Sequence, residues 1–248
     1  MWANLLKGWN MKVILMLIMM IISVHAAAER CENNDQALMA NYEVDEFNKD
    51  KITKKTEFSF FRKNENTVMY RYPQNKISKS WHRAKNGSIN SVHYFDEFKR
   101  AIEYSRSDLA PNMSQDWQGM YPMISQRFLD TMDSKIKSDE CEMTYHKIKV
   151  NKSWKIVWSE TLNAPIEMTL IDGDKTVRLA ISEFKMDQKV VNDVFSQLND
   201  YQSTDYADIG DNEADPFLRK MIRLGFVEHG ASGFYDANGH AQKSDHVH

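Results

Sequence analysis

Residues Lys55–Tyr104 read KTEFSFFRKNENTVMYRYPQNKISKSWHRAKNGSINSVHYFDEFKRAIEY. Within this stretch, apolar and aromatic residues alternate with polar ones in short runs separated by turn-forming residues. Alternation with a period of two is typical of half-buried antiparallel strands. The gaps are too short for the crossover that a parallel pair requires. The stretch therefore predicts an antiparallel meander, with strands at Thr56–Phe60, Val68–Tyr72, Ile77–Trp81, Ser91–Phe95 and Ala101–Tyr104.

Further strands and helices are predicted on both sides of this meander. The alternating run Asn41–Phe47 predicts a first strand, and Met123–Lys135 predicts a helix with Pro122 at its first position. The acidic stretch 202–213 predicts an irregular loop. The remaining predicted elements are the strands Met143–Ile148, Trp154–Trp158, Ile166–Leu170 and Val177–Ile181, and the helices Val190–Tyr201 and Asp215–Gly225.

The order of these elements predicts an α+β fold. Its core is one curved antiparallel sheet, an incomplete barrel, partly covered by two or three helices. We expect residues 29–228 to form a single domain, preceded by a signal peptide at 1–28 and followed by a flexible, His-containing tail at 229–248.

The first 28 residues have the pattern of a secretory signal peptide. Lys12 precedes the apolar run Val13–Ile22, and small residues follow at Ala26–Ala28. The apolar run is shorter than the roughly 20 residues of a transmembrane helix. The pattern predicts a periplasmic or secreted protein cleaved near Ala28, and an uncleaved N-terminal anchor is the alternative.

Net charge and cysteine content indicate which partners and which cellular compartment to expect. The formal net charge is −3 and no basic stripe is present, so nucleic acid is not an expected partner. The chain contains two cysteines, Cys31 and Cys141. In an exported chain such a pair predicts a disulfide, whereas two free thiols are the alternative.

The aromatic residues of the strands provide the candidate ligand site. At Phe60-Phe61 and at Ile156–Trp158 both faces of a strand are apolar, so the sheet must be covered by helices or must line a cavity. Ordinary core packing is the alternative for most of these side chains. The candidate ligand-binding residues are Phe60, Phe61, Tyr70, Trp81, Ile156 and Trp158.

The combination of a signal peptide, an N-terminal strand, an aromatic-rich antiparallel meander, an intervening helix, further strands and C-terminal helices resembles the LolA/LolB-like group. The resemblance spans roughly Ala40–Leu198 and rests on element order and composition. It implies a periplasmic lipoprotein carrier or sensor domain, in which a curved, incomplete barrel holds an acyl chain beneath helices. The chain departs from the group in its segments after Tyr201 and in lacking a lipobox.

These observations predict a non-enzymatic protein without a cofactor. Its expected partner is an apolar ligand, such as a lipid or lipoprotein acyl chain, or an apolar segment of a partner protein at a membrane. The alternative is a periplasmic metal-handling accessory protein, because the tail carries transition-metal ligands at His240, Asp245, His246 and His248. A solvated tail explains the same residues, and an enzyme with a site assembled from scattered residues is a third class.

Overall fold

The computed structural model describes Cys31 and residues 37–109, 117–209 and 214–223. Its strands are β1 Leu38–Asn48, β2 Lys51–Asn64, β3 Thr67–Tyr72, β4 Ile77–Arg83, β5 Ile89–Phe95, β6 Arg100–Tyr104, β7 Ser134–Asp139, β8 Glu142–Lys149, β9 Lys152–Ser159, β10 Ala164–Asp172, β11 Lys175–Lys185 and β12 Gln202–Asp205. Its helices are α1 Trp117–Met120, α2 Gln126–Leu129, α3 Gln188–Asn199 and α4 Pro216–Arg223.

All of these strands belong to one curved, unclosed sheet with the order β12-β6-β5-β4-β3-β2-β1-β11-β10-β9-β8-β7. The long strand β1 lies near its centre and pairs with β2 on one side and with β11 on the other. It thereby joins the β2–β6 meander to the β7–β11 meander. Every pairing is antiparallel except that of β12 with β6. The predicted curved antiparallel sheet and the strands predicted within it are confirmed.

The helix predicted at Met123–Lys135 is wrong. Met123 has a left-handed φ of 69°, which an α-helix does not accommodate. The one-turn helix α2 begins only after Ser125, whose hydroxyl accepts a hydrogen bond from the backbone N–H of Phe128 at 3.2 Å. Strand β7 then begins at Ser134. The described residues consequently hold four helices, one more than the upper limit of the prediction.

The edge strands β7 and β12 were not predicted, because neither has the hydrophobic alternation of a half-buried strand. Every residue of β7 is exposed, although the strand pairs with β8. Strand β12 occupies the start of the stretch predicted to be irregular, and it pairs in parallel with β6 through residues Gln202–Asp205. Backbone hydrogen bonds form these edges, and backbone pairing leaves no signature in side-chain hydrophobicity.

The two faces of the sheet have different covers. On the outer face, Val191, Phe195 and Leu198 of α3 pack against Phe61 and Met69. Asp187 caps this helix by accepting hydrogen bonds from the N–H groups that follow it. The helix predicted at Val190–Tyr201 is therefore confirmed as α3, and it lies on the outer face of the sheet.

The inner face of β5 and β6 is covered by α4. Phe217 and Met221 pack there against Phe95 and Ile102. Asp215 caps α4 by accepting from the N–H of Phe217 at 2.8 Å, and its other carboxylate oxygen pairs with Arg100 at 2.8 Å. The predicted start of this helix is confirmed, whereas its predicted end at Gly225 lies outside the described residues.

The predicted disulfide is confirmed. Cys31 and Cys141 are bonded, with their Cα atoms 5.2 Å apart and a sequence separation of 110. Cys141 lies in the β7–β8 turn, so the bond holds the N-terminal side of the chain against the far edge of the sheet. A disulfide indicates an oxidising compartment.

The predicted signal peptide at 1–28 and the predicted tail at 229–248 lie outside the described residues. None of the described helices has the length and apolar character of a membrane span.

Candidate functional site

A cavity of about 390 Å³ lies between the inner face of the sheet and the segment from Gly119 to Phe128. Strands β1, β2, β3, β9, β10 and β11 supply its walls. Gly119, Met123, Ile124 and Phe128 line the opposite side. We refer to residues 117–132, which contain both short helices, as the cover segment. The volume of the cavity is in the range of a site for one small apolar molecule.

The register of the sheet arranges the wall in rows, because directly paired residues share a face. Thr56, Val44, Leu179 and Met168 are successive partners across β2, β1, β11 and β10. The row nearer the hairpin turns consists of Lys54, Glu46, Val177, Leu170 and Trp154.

Short side chains in both rows leave room for the cavity. Thr56, Val44 and Val177 are short, so they leave space beneath the cover segment. On the inner side, Tyr42 and Phe58 stack with their ring centroids 5.1 Å apart and their planes at 14°. Phe58 of this stacked pair lines the cavity, so the inner end of the cavity is aromatic.

The other end of the cavity is its mouth. Lys54 and Glu46 line it there and form an ion pair at 3.1 Å with both side chains largely exposed. The β2 residues that line the cavity run from Lys54 to Phe58, a distance of four residues, or about 13 Å at 3.3 Å per residue. The described lining of the cavity thus extends along β2 and carries charged side chains only at this mouth.

Hydrogen bonds between hairpin turns fix the shape of the mouth. The N–H of Lys49 in the β1–β2 turn donates to the carbonyl of Asp174 in the β10–β11 turn at 2.9 Å. Gly173 donates in the same way to Asn151 in the β8–β9 turn at 2.8 Å. Gly173 adopts a φ of 59°, a conformation that favours glycine. Three turns are therefore linked into one rim.

Two contacts hold the cover segment on the sheet. The hydroxyl of Tyr70 donates to the carbonyl of Met120 at 3.1 Å. The buried guanidinium of Arg62 lies over the ring of Tyr121, 4.5 Å from its centroid. Arg62 also donates to the carbonyls of Leu162 and Asn163, each at 2.9 Å. These contacts join the cover segment to both meanders.

The tyrosines around the cavity carry no charge at neutral pH. Burial raises the pKa of Tyr72 to about 12 and raises the pKa of Tyr42 further. The hydroxyl of Tyr42 donates to the carbonyl of Pro165 at 2.8 Å. Apart from Lys54 and Glu46 at the mouth, the described lining is uncharged, which suits an apolar occupant.

The six candidate ligand residues occupy three kinds of position. Tyr70 lines the cavity. Phe60, Trp81, Ile156 and Trp158 belong to the same core cluster, where Phe60 and Trp81 flank Tyr70 at centroid distances of 5.1 and 5.7 Å. Phe61 faces outward and packs under α3.

These positions explain the apolar character of both faces at the two sites. At Phe60-Phe61, one face carries the core beneath the cover segment and the other carries α3. At Ile156–Trp158, Ile156 and Trp158 point inward and Val157 is half-buried on the outer face. The cavity-lining residues that sequence reasoning missed include Phe58, Trp154, Met168 and Leu170, since only the pairing register places them in adjacent rows.

The candidate metal ligands His240, Asp245, His246 and His248 lie outside the described residues, so the metal-handling alternative stays a prediction. Within the part of the chain that the structure describes, no group of three or more His, Cys, Asp or Glu side chains is arranged to hold a metal ion.

No protein-family model and no curated protein match the chain. Its sheet is similar to those of several solved structures. One is a domain described as an outer membrane lipoprotein-sorting protein from Vibrio parahaemolyticus, with a TM-score of 0.34, 10% identity, and coverage of 71% of this chain and 97% of that one. Another is a LolA superfamily protein from Nitrosomonas europaea, with a TM-score of 0.24, 10% identity, and coverage of 68% and 96%.

A third similar solved structure is that of a DUF1329 family protein from Desulfovibrio piger. Its TM-score is 0.33 and its identity is 8%, and the match covers 67% of this chain and 93% of that one. The solved structures similar to this chain include members of the LolA/LolB-like group, which the element order of the chain resembles. Identities of 8–10% leave no residue-by-residue correspondence with any of the three, and no site residue is transferred from them.

Proposed function

We propose that this protein is an exported, non-enzymatic carrier that binds an apolar ligand, such as a lipid or a lipoprotein acyl chain, in the cavity beneath the cover segment. The observation that carries the proposal is an elongated cavity of about 390 Å³ whose described walls are uncharged except at the mouth. The disulfide supports export, because such bonds persist in oxidising compartments.

Burial of apolar surface would supply the binding energy. Each buried methylene contributes about 0.8 kcal/mol, so a chain of about eight methylenes would gain roughly 6 kcal/mol before the cost of ordering it. The cavity is long enough for such a chain to lie along β2. The exposed Lys54–Glu46 pair leaves the mouth open to solvent. The proposed domain is residues 29–228, with the 1–28 segment removed on export.

Trp154→Glu should reduce the affinity for a fluorescent fatty-acid probe at least tenfold. Trp154 lines the cavity near the mouth, where a carboxylate would place charge against the bound chain but could still reach water. Fluorescence titration measures the effect. Ser153→Glu is the matched control, since Ser153 is adjacent on the same strand and points to the opposite face. Equal loss in both variants, or no probe binding by the intact protein, contradicts the proposal.

A second variant tests the cavity by volume instead of charge. Val44→Phe should abolish probe binding without unfolding the protein, because the added ring would occupy the space that the short Val44 and Thr56 side chains leave. The same titration, accompanied by a circular dichroism melt, separates a filled cavity from a disrupted core. Unchanged probe affinity would show that the probe binds elsewhere.

The export component of the proposal has its own test. The mature protein should begin at or near Glu29, following cleavage after the small residues Ala26–Ala28. Intact-mass measurement of protein recovered from the periplasm or medium reports the start directly. Retention of residues 1–28 in that material would favour the uncleaved-anchor alternative.

A further inference from the structure

Two basic side chains are buried on the inner face beyond Tyr70, and neither is among the described residues that line the cavity. Lys79 and His93 are directly paired across β4 and β5, with exposures of 5% and 6%. Neither ring nitrogen of His93 has a hydrogen-bond partner among the described residues. Lys79 forms no ion pair with any carboxylate of the described residues within the 4.0 Å limit. Burying charged or polar groups in this way is costly unless something pairs with them.

The register places this pair beside the inner end of the cavity. Tyr70, which lines the cavity, is the direct partner of Lys79 on the neighbouring strand. Side chains so paired have Cβ atoms about 5 Å apart and share a face of the sheet. On the other side, His93 is paired with Ile102. Lys79 and His93 thus place two polar side chains between Tyr70 and Ile102 on the inner face.

The cover segment and α4, which both pack on the inner face, meet at Lys79 and His93. The cluster beneath the cover segment includes Tyr70, and the cluster beneath α4 includes Ile102. Leu109 contacts both clusters. The ring of Tyr104 lies 4.4 Å from that of His93. The pair is therefore enclosed by apolar and aromatic groups, which strengthen any electrostatic interaction made there.

We infer that Lys79 and His93 bind the anionic head group of the ligand, a carboxylate or phosphate, while its apolar part occupies the cavity. This inference rests on the proposed function and deepens it by naming the ligand class as a single-chain amphiphile with an anionic head. The Lys79 ammonium would supply the charge, and an N–H of His93 would donate a second hydrogen bond.

The protonation states of the two groups fit this role. Burial lowers the pKa of Lys79 to about 8, which leaves the amine mostly protonated at pH 7. Burial, with a smaller contribution from the Lys79 charge, lowers the pKa of His93 well below its ordinary value. His93 is consequently a neutral donor beside one positive charge. An anion would supply the counter-charge that this pair has no described residue to provide.

The test compares a fluorescent fatty acid with its methyl ester at pH 7. The intact protein should bind the acid at least tenfold more tightly. Lys79→Met should reduce the affinity for the acid to that for the ester and leave the ester unchanged, and His93→Phe should reduce the preference in the same direction. Lys63→Met is the matched control, because Lys63 lies on the outer face over the ring of Phe195.

A competition arm identifies the head group. A lysophosphatidic acid that displaces the probe more strongly than the fatty acid of equal chain length indicates a phosphate, and the reverse order indicates a carboxylate. Equal affinity of the intact protein for acid and ester, or an undiminished preference in Lys79→Met, overturns this inference while leaving apolar binding intact. Failure of both acid and ester to bind overturns the proposed function itself and this inference with it.

Discussion

Lys79→Met should raise the free energy of unfolding at pH 7 by about 3 kcal/mol. Burial lowers the pKa of this lysine from 10.5 to about 8, and each pKa unit corresponds to about 1.4 kcal/mol. The charged amine therefore destabilises the folded state, and methionine has nearly the same length without the charge. With an exposure of 5%, Lys79 gains little relief from solvent. Urea denaturation of both proteins at pH 7 measures the difference.

The pH dependence of the intact protein has a definite sign. Between pH 8 and pH 10.5 the unfolded chain retains a proton on Lys79 that the folded protein has released. The contribution of Lys79 to stability should therefore rise with pH across this window, whereas the buried tyrosines, whose pKa is raised in the folded protein, should lower stability from about pH 10 upward. His93 also makes stability rise with pH, but at lower pH. Because its pKa is depressed in the folded state, stability should fall as pH decreases below about 6.5.

Between pH 8 and pH 10.5 the stability difference between Lys79→Met and the intact protein should shrink as pH rises, and both proteins should keep the decline below about pH 6.5. Lys63→Met serves as the control, and it should follow the pH dependence of the intact protein in both ranges. Equal stability of Lys79→Met and the intact protein at pH 7 would mean that the amine reaches water or an unidentified partner.

Removal of the disulfide should have an effect of similar size. Cys141→Ser opens a loop of 110 positions. The chain-entropy model assigns about 4.7 kcal/mol to a loop of roughly this length, and measured losses are usually about 2–4 kcal/mol. Thermal and urea unfolding of the variant, compared with the intact protein, gives the loss. Reductant should lower the stability of the intact protein and leave Cys141→Ser unchanged.

A double variant tests whether the bond itself is responsible. Cys31→Ser and Cys141→Ser each remove the same bond, so the double variant should be no less stable than either single variant. Additive losses would show that the cysteines contribute through separate contacts. Insensitivity of the intact protein to reductant would show that the thiols are not bonded in solution.

The predictions for Lys79 connect stability with the inferred ligand site. A substitution that stabilises the free protein and removes the preference for an anionic ligand would identify Lys79 as a residue kept for binding at the expense of stability. Such residues are common at functional sites. An anion bound beside Lys79 would also raise its pKa, so ligand should reduce the contribution of Lys79 to the pH dependence between pH 8 and pH 10.5.

The sequence by itself determined most of the strands and the disulfide. Runs such as Thr56–Phe60 and Val177–Ile181 alternate because one face of each is buried, and burial is recorded in side-chain hydrophobicity. Cys31 and Cys141 have no competing thiol, so their pairing needed no geometry beyond proximity. Asp215-Pro216 likewise specified the start of α4 through local capping.

Only the tertiary structure decided the site. Strand β7 is exposed throughout and β12 is held by backbone pairing with β6, so neither edge was visible in the pattern. Phe60 and Phe61 are adjacent in sequence but lie on opposite faces, one beneath the cover segment and the other beneath α3. The rows that form the cavity and the pairing of Lys79 with His93 depend on register between strands. Register is set by the packing of the whole sheet, and a shift of one residue would exchange its two faces.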